Sequence, residues 1–95
     1  MLSVYHSHRF KKSFEKLRLS GSHKKEIVEL EHTVDILSKQ TALPVKYCDH
    51  KLTGEYEGYR ECHIKDDLLL VYQIKEKELI LLLLDVGSHS YLFGN

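Results

Sequence analysis

Apolar residues recur at helical spacing in the first half of this chain and at strand spacing in the second. Leu2 to Tyr5 forms a short extended start. From His8 onward, Phe10, Phe14 and Leu17 recur every three to four residues with lysines and arginines between them, which predicts an amphipathic helix. Gly21 suits its end, since glycine takes the left-handed cap conformation cheaply. Ser22 is placed to cap a second helix, whose apolar stripe is Ile27, Leu30, Val34 and Leu37. A connector over 40–49 holds the only proline, Pro44. Beyond it three strands are predicted, Tyr56 to Ile64, Leu68 to Ile74 and Glu78 to Asp85, joined by the polar turns Lys65-Asp66-Asp67 and Lys75-Glu76-Lys77. The expected architecture is α+β: an N-terminal strand and a two-helix hairpin packed on a mainly antiparallel sheet that ends in a three-strand meander. No repeat, linker or low-complexity segment interrupts it, so residues 1–95 read as a single domain.

One segment breaks the pattern. Leu79 to Leu84 is an unbroken apolar run, so both faces of that strand should be shielded from water. The helix hairpin can cover one face. The chain's own tail is the expected cover for the other in a protein of this size, with a partner chain as the alternative.

Composition narrows the class. The chain has 95 residues, 42% of them hydrophobic, enough for one modest core. Two isolated cysteines are too few for a disulfide framework and suggest a reducing compartment. The start turns polar too soon for a signal peptide, and the apolar run is too short to span a bilayer. A cytoplasmic protein without a membrane segment is expected. Basic and acidic residues balance at 14 each, but unevenly. Residues 1–50 carry nine basic and six acidic groups, net +3; residues 51–95 carry five and eight, net −3. The basic half could meet phosphates or could simply be a solvated helix face.

Seven histidines change the picture, because imidazole moves protons near neutral pH. The meander should bring His63, Asp67 just past the next turn, and His89 just past the last strand to one rim, and His50 can join them. Such a rim suits RNA cleavage. One group removes the ribose 2′ proton, another protonates the departing 5′ oxygen, and a cation steadies the charged phosphorus centre. For any single histidine a surface or structural place remains the alternative. Zinc is disfavoured: Cys62 and His63 are neighbours on a strand, so they point to opposite faces, and no CxxC pair exists. Cys62 reads as a small core residue. Neither a GxxxxGK loop nor a Gly-x-Ser-x-Gly elbow is present.

Four blocks occur in order: Asp49-His50-x-Leu52-x-Gly54, Gly58-Tyr59-Arg60-Glu61-Cys62-His63-Ile64-x-x-Asp67, Leu70-Val71-Tyr72, and Gly87-Ser88-His89-x-x-Leu92-Phe93. Together they resemble the YafQ branch of the RelE/ParE toxin superfamily over essentially the whole chain. The resemblance implies a RelE-like fold and the toxin half of a type II toxin–antitoxin pair. It implies ribosome-dependent, metal-independent cleavage of mRNA by 2′-hydroxyl attack, with no cofactor. The implied partners are a cognate antitoxin, held in a hetero-oligomer, and mRNA on the ribosome. Carried over by position, His50, His63 and Asp67 are the base-side catalytic residues, His89 the general acid, and Phe93 a substrate-positioning aromatic. Arg60 and Lys65 are candidates for the phosphate-binding cation, with an ion pair to a neighbouring acid as the equal alternative for Arg60.

Two positions depart from that pattern. Asp85 stands where family members commonly carry arginine, and Leu68 stands where tryptophan is common, so reduced activity is expected. The alternative reading keeps the fold but drops the catalysis, leaving a protein that acts by binding its antitoxin or another partner. A third, poisoning of a DNA topoisomerase as in the ParE branch, leaves the histidine cluster without a use.

Overall fold

The structure is a computed structural model and describes residues 1–94. Strand β1 (Ser3–His6) leads into helix α1 (His8–Ser20) and helix α2 (Lys24–Ser38). Short strand β2 (His50–Lys51) follows the connector, then β3 (Arg60–Lys65), β4 (Leu68–Lys75), β5 (Ile80–Gly87) and helix α3 (His89–Phe93). The five strands form one sheet in the order β1-β5-β4-β3-β2. β1 runs parallel to β5, and the other pairings are antiparallel, so the expected α+β class and mainly antiparallel sheet are what the chain adopts.

Local chemistry sets the boundaries. Ser7 caps α1 by accepting from the Phe10 N–H at 3.0 Å, and Gly21 ends the helix with φ +73°. The cap predicted for α2 is displaced by one residue: His23 occupies it and makes no side-chain capping bond. The strand predicted from Tyr56 begins instead at Arg60. Gly54–Tyr56 curls into a 3-10 turn, and Gly58 turns the chain at φ +94°, a conformation costly for any residue with a Cβ. The last strand starts later than predicted, because Leu79 sits in the preceding turn with φ +57°, and it runs on past Asp85 to Gly87.

The helix hairpin covers one face of the sheet. Phe10, Leu30 and Leu37 from the helices bury themselves against Cys62, Ile64, Leu70, Tyr72, Leu81, Leu83 and Val86. The opposite face is covered only at one end, where Leu92 of α3 packs on Leu69 and Val71 beside Leu52, Tyr56, Tyr59, Leu84 and Phe93. The tail therefore shields part of the apolar run, as expected for the Leu84 end, while Ile80 and Leu82 stay half-exposed next to Tyr5. A bulge in β5 separates the two regimes: Tyr72 faces Leu83 and Val71 faces Asp85, so Leu84 is the extra residue.

Consecutive leucines should then respond unequally to substitution. Leu83, 1% exposed, should cost about 2–5 kcal/mol as Leu83→Ala, whereas the half-exposed Leu82→Thr should cost about 1 kcal/mol or less. Urea unfolding of the two variants measures the contrast; equal losses would mean that both faces are covered alike.

Candidate active site

The register of β2, β3, β4 and β5 decides which polar groups share the face opposite the helix hairpin. His50 lies across from Glu61, Glu61 across from Val71, His63 across from Leu69, and Leu69 across from Gly87. Residues directly opposite one another project to the same side, so His50, Glu61 and His63 stand on the face floored by Leu69 and Val71. The pleat sends Cys62 the other way, into the helix-side core, as its adjacency to His63 requires.

Glu61 is the centre of this group. The residue is only 4% exposed, and one carboxyl oxygen, Oε1, faces Nε2 of His50 at 3.6 Å and Nε2 of His63 at 3.5 Å. A buried carboxylate is costly unless cationic or hydrogen-bonded partners offset its desolvation, and the two imidazoles are the ionisable groups that face it. His50 is further constrained. Its Nδ1 lies 2.7 Å from the Cys48 carbonyl, which can only accept, so Nδ1 carries hydrogen and Nε2 is the atom left to gain or lose a proton.

Asp67 and His89 form the second group. Asp67 Oδ1 accepts from the backbone N–H of His89 at 3.3 Å, while Ser88 caps the same turn by accepting from the Tyr91 N–H at 3.1 Å. The β3–β4 turn is thereby tied to the start of α3. The His89 ring lies 5.1 Å from that of Phe93, and Phe93 meets Tyr56 edge to face at 5.5 Å. Gly87 permits this fold-back, since a Cβ there would stand 2.5 Å from the Tyr91 ring. Two inter-strand steps of about 5 Å each separate His63 from Gly87, with Leu69 between them, and His89 follows two residues beyond Gly87.

Arg60 is not part of the cluster. It projects to the helix side, where it pairs with Asp49 at 2.8 Å beside the Tyr72 hydroxyl, which also donates to Asp49. Burial first, then Asp49, pushes the Tyr72 hydroxyl and the Cys62 thiol well up, so neither ionises near neutral pH. Lys65 is exposed at the end of β3, at the margin of an open cleft of about 370 Å³ that it shares with His63, Lys25 and Lys46. Leu68 packs against the helix-side core rather than toward the histidines. Asp85 is 2% exposed and engaged by α1: Ser13 Oγ donates to it at 2.6 Å and Arg9 Nη2 at 3.1 Å. Among the described residues no three His, Cys, Asp or Glu side chains are arranged to hold a metal ion, and no helix is long and apolar enough to cross a membrane.

Glu61 was legible only in outline. It lies two residues before His63, hence on the same face of a strand, but a lone glutamate on a strand is ordinarily solvated. The involvement of Tyr56 and Arg9 with this rim has no local signal, because they come together from 47 residues apart.

A helix hairpin packed on one face of a small mixed sheet is the fold of the RelE superfamily of toxins. Residues 2–94 match the family of bacterial toxins of type II toxin–antitoxin systems designated YafQ, and the chain belongs to it. It is 33% identical to the mRNA interferase toxin YafQ of Escherichia coli K12 over 79 residues, which is 82% of this chain and 84% of that one. The crystal structure of YafQ from E. coli BL21(DE3) superposes with a TM-score of 0.87 at 26% identity, covering 99% of this chain and all of the other. A metal-bound toxin from Helicobacter pylori gives 0.86 at 44% identity, covering 98% of this chain and all of the other. YafQ in the E. coli DinJ–YafQ toxin–antitoxin complex gives 0.83 at 26% identity, covering 98% of each chain.

The placement of Asp85 makes a structural prediction. Asp85→Arg would set a second guanidinium beside Arg9 in a closed site and strip Ser13 of its acceptor, which should lower stability by about 3–5 kcal/mol. A thermal or urea transition measures it. A variant as stable as the wild type would show that the carboxylate is not needed between α1 and β5.

Proposed function

We propose that this chain is an mRNA interferase: an endoribonuclease toxin that cuts messenger RNA on the ribosome and arrests translation. The single observation that carries the reading is the pair of imidazoles sharing the buried Glu61 carboxylate, set across one sheet face from a third imidazole, His89. Three groups able to hold or release a proton near neutral pH allow both proton transfers without a metal.

In this reading His50 Nε2, backed by Glu61, takes the proton of the ribose 2′-hydroxyl. The 2′ oxygen attacks the adjacent phosphorus while His63 donates a hydrogen bond to a phosphate oxygen. The bond to the 5′ oxygen breaks, and His89 gives that oxygen its proton. The products are a 2′,3′-cyclic phosphate and a 5′-hydroxyl, with His50 left protonated and His89 neutral. Asp67 acts as a positioning residue, since its carboxylate holds the backbone of His89. Phe93, packed between the rings of His89 and Tyr56, offers a stacking surface to a base. Lys65, beside His63, is a cation for the neighbouring backbone.

Ribosome dependence fits the charge balance. A protein with no net charge has little general attraction for RNA, so a partner that presents the message in place supplies what the toxin lacks. Acting on translated messages places it in the cytoplasm. A cognate antitoxin neutralises it in a toxin–antitoxin complex, as the DinJ–YafQ pairing of its relative suggests. Neither departure from the family pattern obliges low activity, because Leu68 packs into the helix-side core and the Asp85 carboxylate is held by Ser13 and Arg9 of α1.

His89→Ala should lower cleavage by about 10²–10⁴-fold, since removal of a general acid typically costs that much. Primer extension on a translated message after brief induction reads both cleavage and its position in the codon. A single 2′-deoxy nucleotide at the cut should abolish it, and a chelator should leave it intact. Growth arrest that survives alanine at His50, His63 and His89 together would discard the nuclease reading in favour of a toxin that acts by binding alone.

A further inference from the structure

We propose that Arg9 and Tyr56 form a nucleotide subsite beside the cleavage site, in which the Arg9 guanidinium binds a phosphate of single-stranded RNA and Asp85 is its buried anchor; the proposal rests on the mRNA-cleaving reading above.

Asp85 closes off one end of the arrangement. Its carboxylate is almost fully buried and accepts from Ser13 Oγ at 2.6 Å, from the Val86 N–H at 2.9 Å and from Arg9 Nη2 at 3.1 Å. A charge in such a place holds its cation firmly. The hold is one-handed, however. Arginine that serves only as an ion-pair partner commonly engages a carboxylate through two parallel N–H donors. Arg9 makes every one of its bonds through Nη2, to Asp85 and to the Tyr56 hydroxyl at 3.3 Å. Nε and Nη1 have no partner among the described residues, and 51% of the side chain is open to solvent. A guanidinium fixed at one nitrogen, with donors left over, is suited to a second anion.

Its location supplies the ligand class. The Arg9 guanidinium lies 6.0 Å from the centre of the Tyr56 ring, Tyr56 meets Phe93 edge to face, and Phe93 lies against His89. Cation, half-buried phenol, second aromatic and imidazole thus follow one another along a single rim. Alternating cationic and aromatic groups match the repeating phosphate and base of a single strand. Lys12 and Lys16 lie on the same side of α1 as Arg9 by helical spacing, which extends the positive edge beyond it. The strand would then pass from His89, over Phe93 and Tyr56, to Arg9.

The test measures binding of a 2′-O-methyl RNA oligonucleotide, which cannot be cut because its 2′ oxygen has no proton to lose. Affinity is followed by NMR titration over a range of salt concentrations for the wild type, Arg9→Gln and the double variant Arg9→Gln/Asp85→Asn. The double variant leaves no buried carboxylate unpaired, so it keeps the comparison sound if Arg9→Gln alone unfolds. Loss of the phosphate contact should weaken binding roughly tenfold. It should also flatten the dependence of log affinity on log salt by about 0.7, the share of one phosphate on a single strand. A merely structural ion pair would move the melting temperature and leave that slope alone. An unchanged slope in the folded double variant, or no binding of the oligonucleotide by the wild type, overturns the subsite. The same proteins assayed for cleavage separate the two ideas. Cutting by the wild type with an unchanged slope leaves the nuclease and removes the subsite. A flattened slope without cutting by the wild type keeps the subsite and removes the nuclease.

Discussion

A strand that is apolar on both sides has to be covered twice, and the partial way in which β5 meets that demand places the imidazole face of this protein. The helix hairpin buries Leu81, Leu83 and Val86 on one face. On the other, α3 folds back over Leu84, Leu69 and Val71 and carries His89 and Phe93 with it. A roof of five residues leaves most of that face open, and the open part is where His50 and His63 meet Glu61. Core packing and site assembly are therefore one event: moving α3 off its apolar floor would also withdraw His89.

Two buried carboxylates hold this arrangement together, and their partners differ in kind. Glu61 faces the imidazoles of His50 and His63, a side-chain type that serves in proton transfer. Asp85 faces a guanidinium, which never gives up its proton, and a serine hydroxyl, so its surroundings stay put. The first suits a reacting centre, the second a joint. That joint links α1 to β5, and through the Ser13 hydroxyl, 2.9 Å from that of Tyr91, to α3 as well. Arg60 with Asp49 and Tyr72 makes a comparable clamp on the helix side, between β3 and the connector.

Strand alternation was the most dependable guide to the site. It separated Cys62 from His63 correctly and grouped His63 with the rim, because the pleat leaves no other choice. It said less about Glu61, whose burial depends on what α3 and β2 bring over it. Arg60 and Asp85 are the instructive cases. A basic residue in a motif reads as a phosphate ligand, and an acidic one at an arginine position reads as a defect. For Arg60 the other reading, an ion pair with a neighbouring acid, is the contact the fold makes, and the Asp85 carboxylate is claimed by α1. Two strand boundaries slipped where a residue took positive φ, at Gly58 and at Leu79, since such turns are set by local backbone geometry that apolar spacing does not record.

The amino-acid sequence by itself determined the α+β class, the helix hairpin, the meander, the core role of Cys62 and the four motif blocks that mark the family. These follow from periodicity and residue type, which act over a few positions and need no knowledge of distant partners. Tertiary structure alone decided that Glu61 lies between two imidazoles, that Asp67 holds the turn bearing His89, and that Arg9 reaches Asp85 from 76 residues away. The reason is physical: a charged group's role is set by what shares its desolvated space, and only the closed fold brings those groups together.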